Sequence, residues 1–239
     1  MKKIIVAPDS FKGSLTSAEV ADAVERGIKD VFPQCNVVKA GVADGGEGTV
    51  EAIVKAVGGD MYAASVTDPL GRPVKAAYGI VRSGGVKTAV MEMSAASGLP
   101  LLLPDELNPW ITSTYGTGEM ISDALNRGCR KFLVGIGGSA TNDAGTGMLS
   151  ALGVRFLDSS GQRLKGCGRD LESIARIDMS SLMPAARESE FIVACDVNTP
   201  FCGPDGAARV FAPQKGANPQ TAEALDRGMR SFADRKSVV

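Results

Sequence analysis

The sequence predicts an α/β fold: a Rossmann-like parallel-sheet domain carrying an inserted, smaller β-rich α/β domain. Three observations carry this expectation. Up to Gly59, apolar runs of strand length alternate with amphipathic helical patterns, the rhythm of strands laid parallel under covering helices. Lys131 to Leu152, KFLVGIGGSATNDAGTGMLSAL, reads as a buried strand, a glycine loop and a helix. From about Tyr62 the style changes to short strands separated by turn residues, which reads as an insert.

Each element follows in order. Lys3 to Ala7 is a strand-length apolar run. Thr16-Ser17-Ala18-Glu19 has capping-box spacing, with Thr16 as cap and Glu19 three residues on. Val20, Val24, Ile28 and Val31 then line one helical face, and Pro33 lies just beyond its end. Asn36 to Val42 is a second strand. Val50, Ile53, Val54 and Val57 give the next helix, closed by Gly58-Gly59. Ser65 to Val74 reads as strand, turn, strand. Ala76 to Val81 and Lys87 to Met93 are further strands around Ser83-Gly84-Gly85. Gly98 to Pro109 is a proline-bearing connection. Thr117 to Gly128 is a helix with Met120, Ile121, Ala124 and Leu125 inward, and it leads into the strand Phe132–Ile136. After the glycine loop, Ala144, Met148, Leu149 and Leu152 mark a helix face, with Thr141 or Asn142 as N-cap. Phe191 to Cys195 is a further buried strand, and Ala222, Leu225, Met229 and Phe232 mark the last helix. The expected division puts residues 1–61, 113–152 and 190–239 in the Rossmann-like domain and residues 62–112 and 153–189 in the insert.

Composition narrows the chemistry. With 239 residues, 44% apolar and 22% charged, the chain is expected to fold as a soluble globular protein. Net charge of −1 gives no electrostatic case for nucleic acid or an anionic membrane. No apolar run approaches the ~20 residues of a membrane span. No signal peptide is read at the start, and five scattered cysteines suggest neither zinc nor a disulfide framework, so the expected location is cytoplasmic. Histidine is absent. That removes Ser-His-Asp and Cys-His catalysis and leaves proton transfer to Asp or Glu. A metal would be bound through oxygen, which points to Mg²⁺.

In an open parallel sheet, ligands bind beyond the carboxyl ends of the strands. Four apolar runs here end in polar or glycine-rich loops: Asp9 to Ser14, Asp44 to Thr49, Gly137-Gly138-Ser139 and Asp196-Val197-Asn198. With the strands parallel, all four crowd one edge. Any single Asp there serves equally as a helix cap, but three together with Lys12 mark a site. The mixture suits phosphoryl transfer, which needs donors and Mg²⁺ around the phosphates and a carboxylate for the attacking hydroxyl. Asp196 or Asp44 is the base or the Mg²⁺ ligand, and Lys12 meets an anionic substrate group. Gly137, Gly138 and Ser139 offer a phosphate cradle. Thr117, in the helix start Thr114 to Glu119, is a second candidate for the nucleotide. A lone lysine in a loop, as in Phe211 to Ala217, is more often solvated than functional.

Seven motifs occur in order: APDSFKGSL (Ala7–Leu15), DGGEGT (Asp44–Thr49), VTDPLGRPV (Val66–Val74), YGTGE (Tyr115–Glu119), GIGGSATNDAG (Gly135–Gly145), ACDVNTP (Ala194–Pro200) and FAPQKGA (Phe211–Ala217). On these the chain closely resembles the bacterial glycerate kinases of the glycerate kinase I family. The resemblance implies transfer of the γ-phosphoryl of ATP to D-glycerate with Mg²⁺, giving 2-phosphoglycerate, in a site between two α/β domains. Within the motifs, Ser10 and Lys12 are expected at the glycerate carboxylate, Gly45 and Gly46 beside the substrate, and Lys215 at a phosphate or the substrate. Which hydroxyl reacts, and the oligomeric state, stay open. Members of the family run longer, so the resemblance also implies a chain truncated at its C-terminal end. The alternative function is then a module that binds nucleotide or glycerate without turnover.

Overall fold

A computed structural model describes residues 3–8, 11, 14–40 and 48–236, excepting the side chains of residues 83, 235 and 236. The elements in order are β1 (Lys3–Val6), α1 (Ser17–Val31), β2 (Asn36–Lys39), α2 (Thr49–Val57), β3 (Gly59–Thr67), β4 (Pro73–Ser83), β5 (Val86–Glu92), α3 (Ser94–Ser97), α4 (Tyr115–Asn126), β6 (Lys131–Gly135), α5 (Thr146–Ala151), β7 (Arg155–Leu157), β8 (Arg176–Asp178), α6 (Pro184–Arg187), β9 (Glu190–Ala194), α7 (Ala207–Phe211) and α8 (Pro219–Lys236).

The main sheet has five strands in the order β3-β4-β5-β6-β9. It is mixed rather than parallel. β4 runs antiparallel to its neighbours β3 and β5, and β5, β6 and β9 run parallel. Turn chemistry explains the difference. The β3–β4 turn is closed by the Asp68 carboxylate, which accepts from the Leu70 and Arg72 backbone N–H groups. The β4–β5 turn is Gly84-Gly85 with φ of 57° and 83°, the left-handed pair that a tight hairpin requires. Hairpins so short leave antiparallel pairing as the outcome, whereas β5 to β6 and β6 to β9 cross over through helices. The strands expected in the insert therefore share one sheet with β6 and β9.

β1 and β2 form a separate parallel pair. The capping box holds α1 as expected: the Thr16 N–H donates to Glu19 at 2.8 Å, and the Glu19 N–H donates to the Thr16 hydroxyl at 3.3 Å. The apolar face of α1 is less covered than its spacing predicts. Val20 is buried, but Val24 and Val31 are exposed; among the described residues α1 packs mainly on the narrow β1–β2 pair.

Helices cover the main sheet on both faces. α4 buries Met120, Ile121, Ala124 and Leu125 against Tyr78, Met91 and Phe132. α2 sets Val50 and Val54 on Val81 and Val90 of the opposite face. A second core lies apart from these. There Val154, Phe156, Leu171 and Ile174 pack against Ala208 of α7 and Ala222, Leu225, Met229 and Phe232 of α8. The antiparallel β7–β8 ribbon belongs to this layer. β9 departs from expectation. It is the edge strand, and Phe191, Ile192 and Val193 are 40–54% exposed on both its faces. An apolar run signals burial only where a layer lies over it, and β9 is covered on neither side among the described residues. Among the described residues no helix is long and apolar enough to cross a membrane.

Candidate active site

Glu92, Gly135 and Ala194 stand side by side in register at the carboxyl ends of β5, β6 and β9. The loop after β6 leaves this edge and is sewn to its neighbours. Gly138 takes φ of 69°, its carbonyl accepts from the Leu99 N–H at 2.9 Å, and the Ala140 N–H donates to the Ser97 carbonyl at 2.9 Å. The Thr112 hydroxyl donates to the Ala140 carbonyl. Gly137, Gly138 and Ser139 are thus fixed at the sheet edge. Asp196 lies two residues past the end of β9 on the same edge and is exposed.

Lys215 arrives from the other layer. It closes the 3-10 turn Pro213–Lys215 and is only 7% exposed. Its Nζ donates to the Ser139 hydroxyl at 2.8 Å and to the Thr141 carbonyl at 2.6 Å. Among the described residues no carboxylate lies within ion-pair distance of it. An ammonium has three N–H donors, and among the described residues the acceptors of Lys215 are these two neutral oxygens. Burial pushes its pKa down to about 8, against a smaller upward pull from the negative charge of Asp143. The Lys215 ammonium thus sits buried beside the glycine loop that follows β6.

Sequence reasoning missed two carboxylates here. Asp143, 2% exposed, closes the same loop. One of its oxygens accepts from the Thr114 N–H and hydroxyl, both at 2.8 Å, and from the Gly147 N–H at 3.3 Å. The other accepts from the Gly145 N–H at 3.1 Å. This corrects the expected cap of α5. Gly145 in the left-handed region is the N-cap, and Asp143 rather than Thr141 or Asn142 answers the free N–H groups. Glu92, also buried, accepts from the Val50 N–H at 3.0 Å and ties the start of α2 to the sheet edge. Its signal was an acidic residue closing an apolar strand; that of Asp143 was a carboxylate inside a small-residue loop.

Thr117 is buried at the start of α4, with its hydroxyl 2.7 Å from that of Ser97. Ser10, Lys12, Asp44, Gly45 and Gly46 lie outside the described residues. Among the described residues no group of three acidic or sulfur ligands forms a metal cluster.

The sequence profile described as "Glycerate kinase family" matches residues 4–237. The chain belongs to the glycerate kinase family. It is similar to a glycerate kinase of Haemophilus influenzae, 50% identical over 97% of this chain and 61% of that one. It is 46% identical to a glycerate 2-kinase of Escherichia coli over 97% of this chain and 60% of that one. The crystal structure of a Salmonella typhimurium LT2 protein assigned as glycerate kinase 2 superposes with a TM-score of 0.82 at 46% identity, covering 98% of this chain and 62% of that one. The chain therefore spans about three fifths of the length of these glycerate kinase relatives.

Proposed function

We propose that the chain carries the phosphoryl-transfer site of a glycerate kinase, moving the γ-phosphoryl group of ATP to a hydroxyl of D-glycerate to give 2-phosphoglycerate. Membership of the family and the names of its relatives support the substrate and the reaction. The observation that carries the reading is the 2.8 Å contact between Lys215 and Ser139, which joins two of the family's motifs 76 residues apart into one anion-binding corner.

In this reading the N–H groups of Gly137 and Gly138, the Ser139 hydroxyl and Lys215 receive phosphate oxygens, where fixed donors answer the charge that spreads over the phosphoryl group. Thr117 lines the nucleotide side. Ser10 and Lys12 hold the glycerate carboxylate, beside Gly45 and Gly46. One of Asp196 and Asp44 takes the proton of the attacking hydroxyl. Both carry carboxylate oxygens, the donor type that Mg²⁺ takes beside nucleotide phosphates. Mg²⁺ bound there would neutralise phosphate charge.

The test is ADP release with D-glycerate, with the product assigned by 31P NMR, in wild type and in Asp196→Asn and Asp44→Asn. The expected result is 2-phosphoglycerate from wild type and a loss of at least 100-fold in kcat in one or both variants, the range of general-base catalysis. Wild-type turnover in both variants would remove these carboxylates from the chemistry. Binding of ATP without any ADP release would favour the non-catalytic module.

A further inference from the structure

We infer that Asp143 is a positioning residue for this site: its buried carboxylate joins the start of α4 and the start of α5 and so sets the loop that presents Ser139 and Thr141 to Lys215. The inference rests on the reading of that corner as the phosphate site.

The geometry is specific. Asp143 receives hydrogen bonds from the backbone of Thr114, Gly145 and Gly147 and from the Thr114 hydroxyl. The Thr114 hydroxyl in turn accepts from the Met148 N–H at 2.9 Å, so one side chain ties α4 and α5 to each other and to Asp143. α4 and α5 also meet closely at Gly118, where a Cβ would run into the Met148 carbonyl oxygen. The carboxylate therefore answers N–H groups at two helix starts at once, where a negative charge is favoured. Burial pushes its pKa up, and the surrounding donors pull it back. Its contacts are three backbone N–H donors and the Thr114 hydroxyl. Asp143 begins the turn that ends the Ser139–Asn142 loop, so its anchorage fixes the two acceptors of Lys215. It is also the charged side chain whose field Lys215 feels.

Asp143→Asn, Thr114→Val and Thr114→Ser separate this role from plain stability. Three readouts apply to the full chain: the NMR titration midpoint of Lys215, amide exchange at Gly145, Gly147 and Met148, and the pH profile of ADP release. Asp143→Asn removes the negative charge, so the Lys215 midpoint falls and the alkaline limb of kcat/KM moves to lower pH by the same amount. Thr114→Val speeds exchange at Gly147 and Met148 and lowers kcat at least 10-fold, and Thr114→Ser restores both. Should Asp143→Asn fail to fold, the Thr114 pair decides. An unmoved Lys215 midpoint in folded Asp143→Asn, or wild-type exchange in Thr114→Val, would overturn the inference. The titration and the exchange need no substrate. A wild-type chain without turnover would therefore sink the kinase reading while these two measurements still judged Asp143.

Discussion

Replacing Lys215 with methionine is expected to abolish phosphate binding while leaving stability at pH 7 within about 2 kcal/mol of wild type. The expectation follows from two opposed quantities. Taking an ammonium out of water lowers its pKa from 10.5 to about 8, which corresponds to a penalty of about 3 kcal/mol on the charged folded state. Methionine removes that penalty and keeps much of the apolar stem. Against this, the Thr141 carbonyl loses its donor, a cost of about 1–3 kcal/mol for a buried acceptor. The Ser139 hydroxyl is half-buried and can turn to water. The two contributions nearly cancel. The pH dependence does not. The unfolded chain keeps the Lys215 proton up to about 10.5, whereas the folded chain releases it near 8. Between those values the unfolded state binds more protons, and stability gains about 1.4 kcal/mol per pH unit from this group. Urea unfolding at half-unit steps from pH 7 to pH 10.5 should show this rise in wild type relative to Lys215→Met. A loss of more than 3 kcal/mol at pH 7, or parallel pH curves for the two proteins, would refute the reasoning and make Lys215 a structural residue.

Gly118→Ala should lower stability by about 2 kcal/mol, the usual cost of forcing a methyl into a closed contact, since the new Cβ meets the Met148 carbonyl and the Ala151 side chain; an unchanged urea midpoint would contradict the α4–α5 contact. Asp68→Ala should cost about 2 kcal/mol by leaving the Leu70 and Arg72 backbone N–H groups and the Arg72 Nε without their acceptor, while Glu106 keeps the rest of the guanidinium, and Asp68→Asn should recover little of it. Thiol labelling at pH 8 should modify the exposed Cys195 first, and Cys195→Ser should erase the fast phase. Cys167 should stay unreacted in the folded protein, because burial pushes its thiol up to about 12; fast labelling of Cys167 would show that its layer opens.

Much of the fold was legible because local signals were strong. The Thr16–Glu19 box, the Gly58 stop and the Gly84-Gly85 turn each act within a few residues, and each sits where the spacing puts it. The inward face of α4 was legible for the same reason. Strand direction in the main sheet was not, since two antiparallel hairpins and two parallel crossovers can use similar apolar runs. β9 shows the limit of hydropathy: EFIVA reads as interior, but burial is a property of what lies above a strand. Of the candidate site, Asp196 and Gly137–Ser139 were legible as residues that follow the ends of two strands, which the structure sets side by side. Lys215 reads as a solvated loop lysine in isolation, and only its motif singled it out. Asp143 and Glu92 were passed over because their partners lie 29 and 42 residues away, beyond any local pattern.

Lys215 reaches from the layer under α8 to a loop rooted in the main sheet, so it acts as a hasp across two separately filled interiors. Such halves need not melt together. When the smaller one loosens, the hasp springs and the proposed phosphate corner is gone, although most of the sheet is still intact. Mild denaturant should then silence ligand binding well before circular dichroism registers any loss of structure.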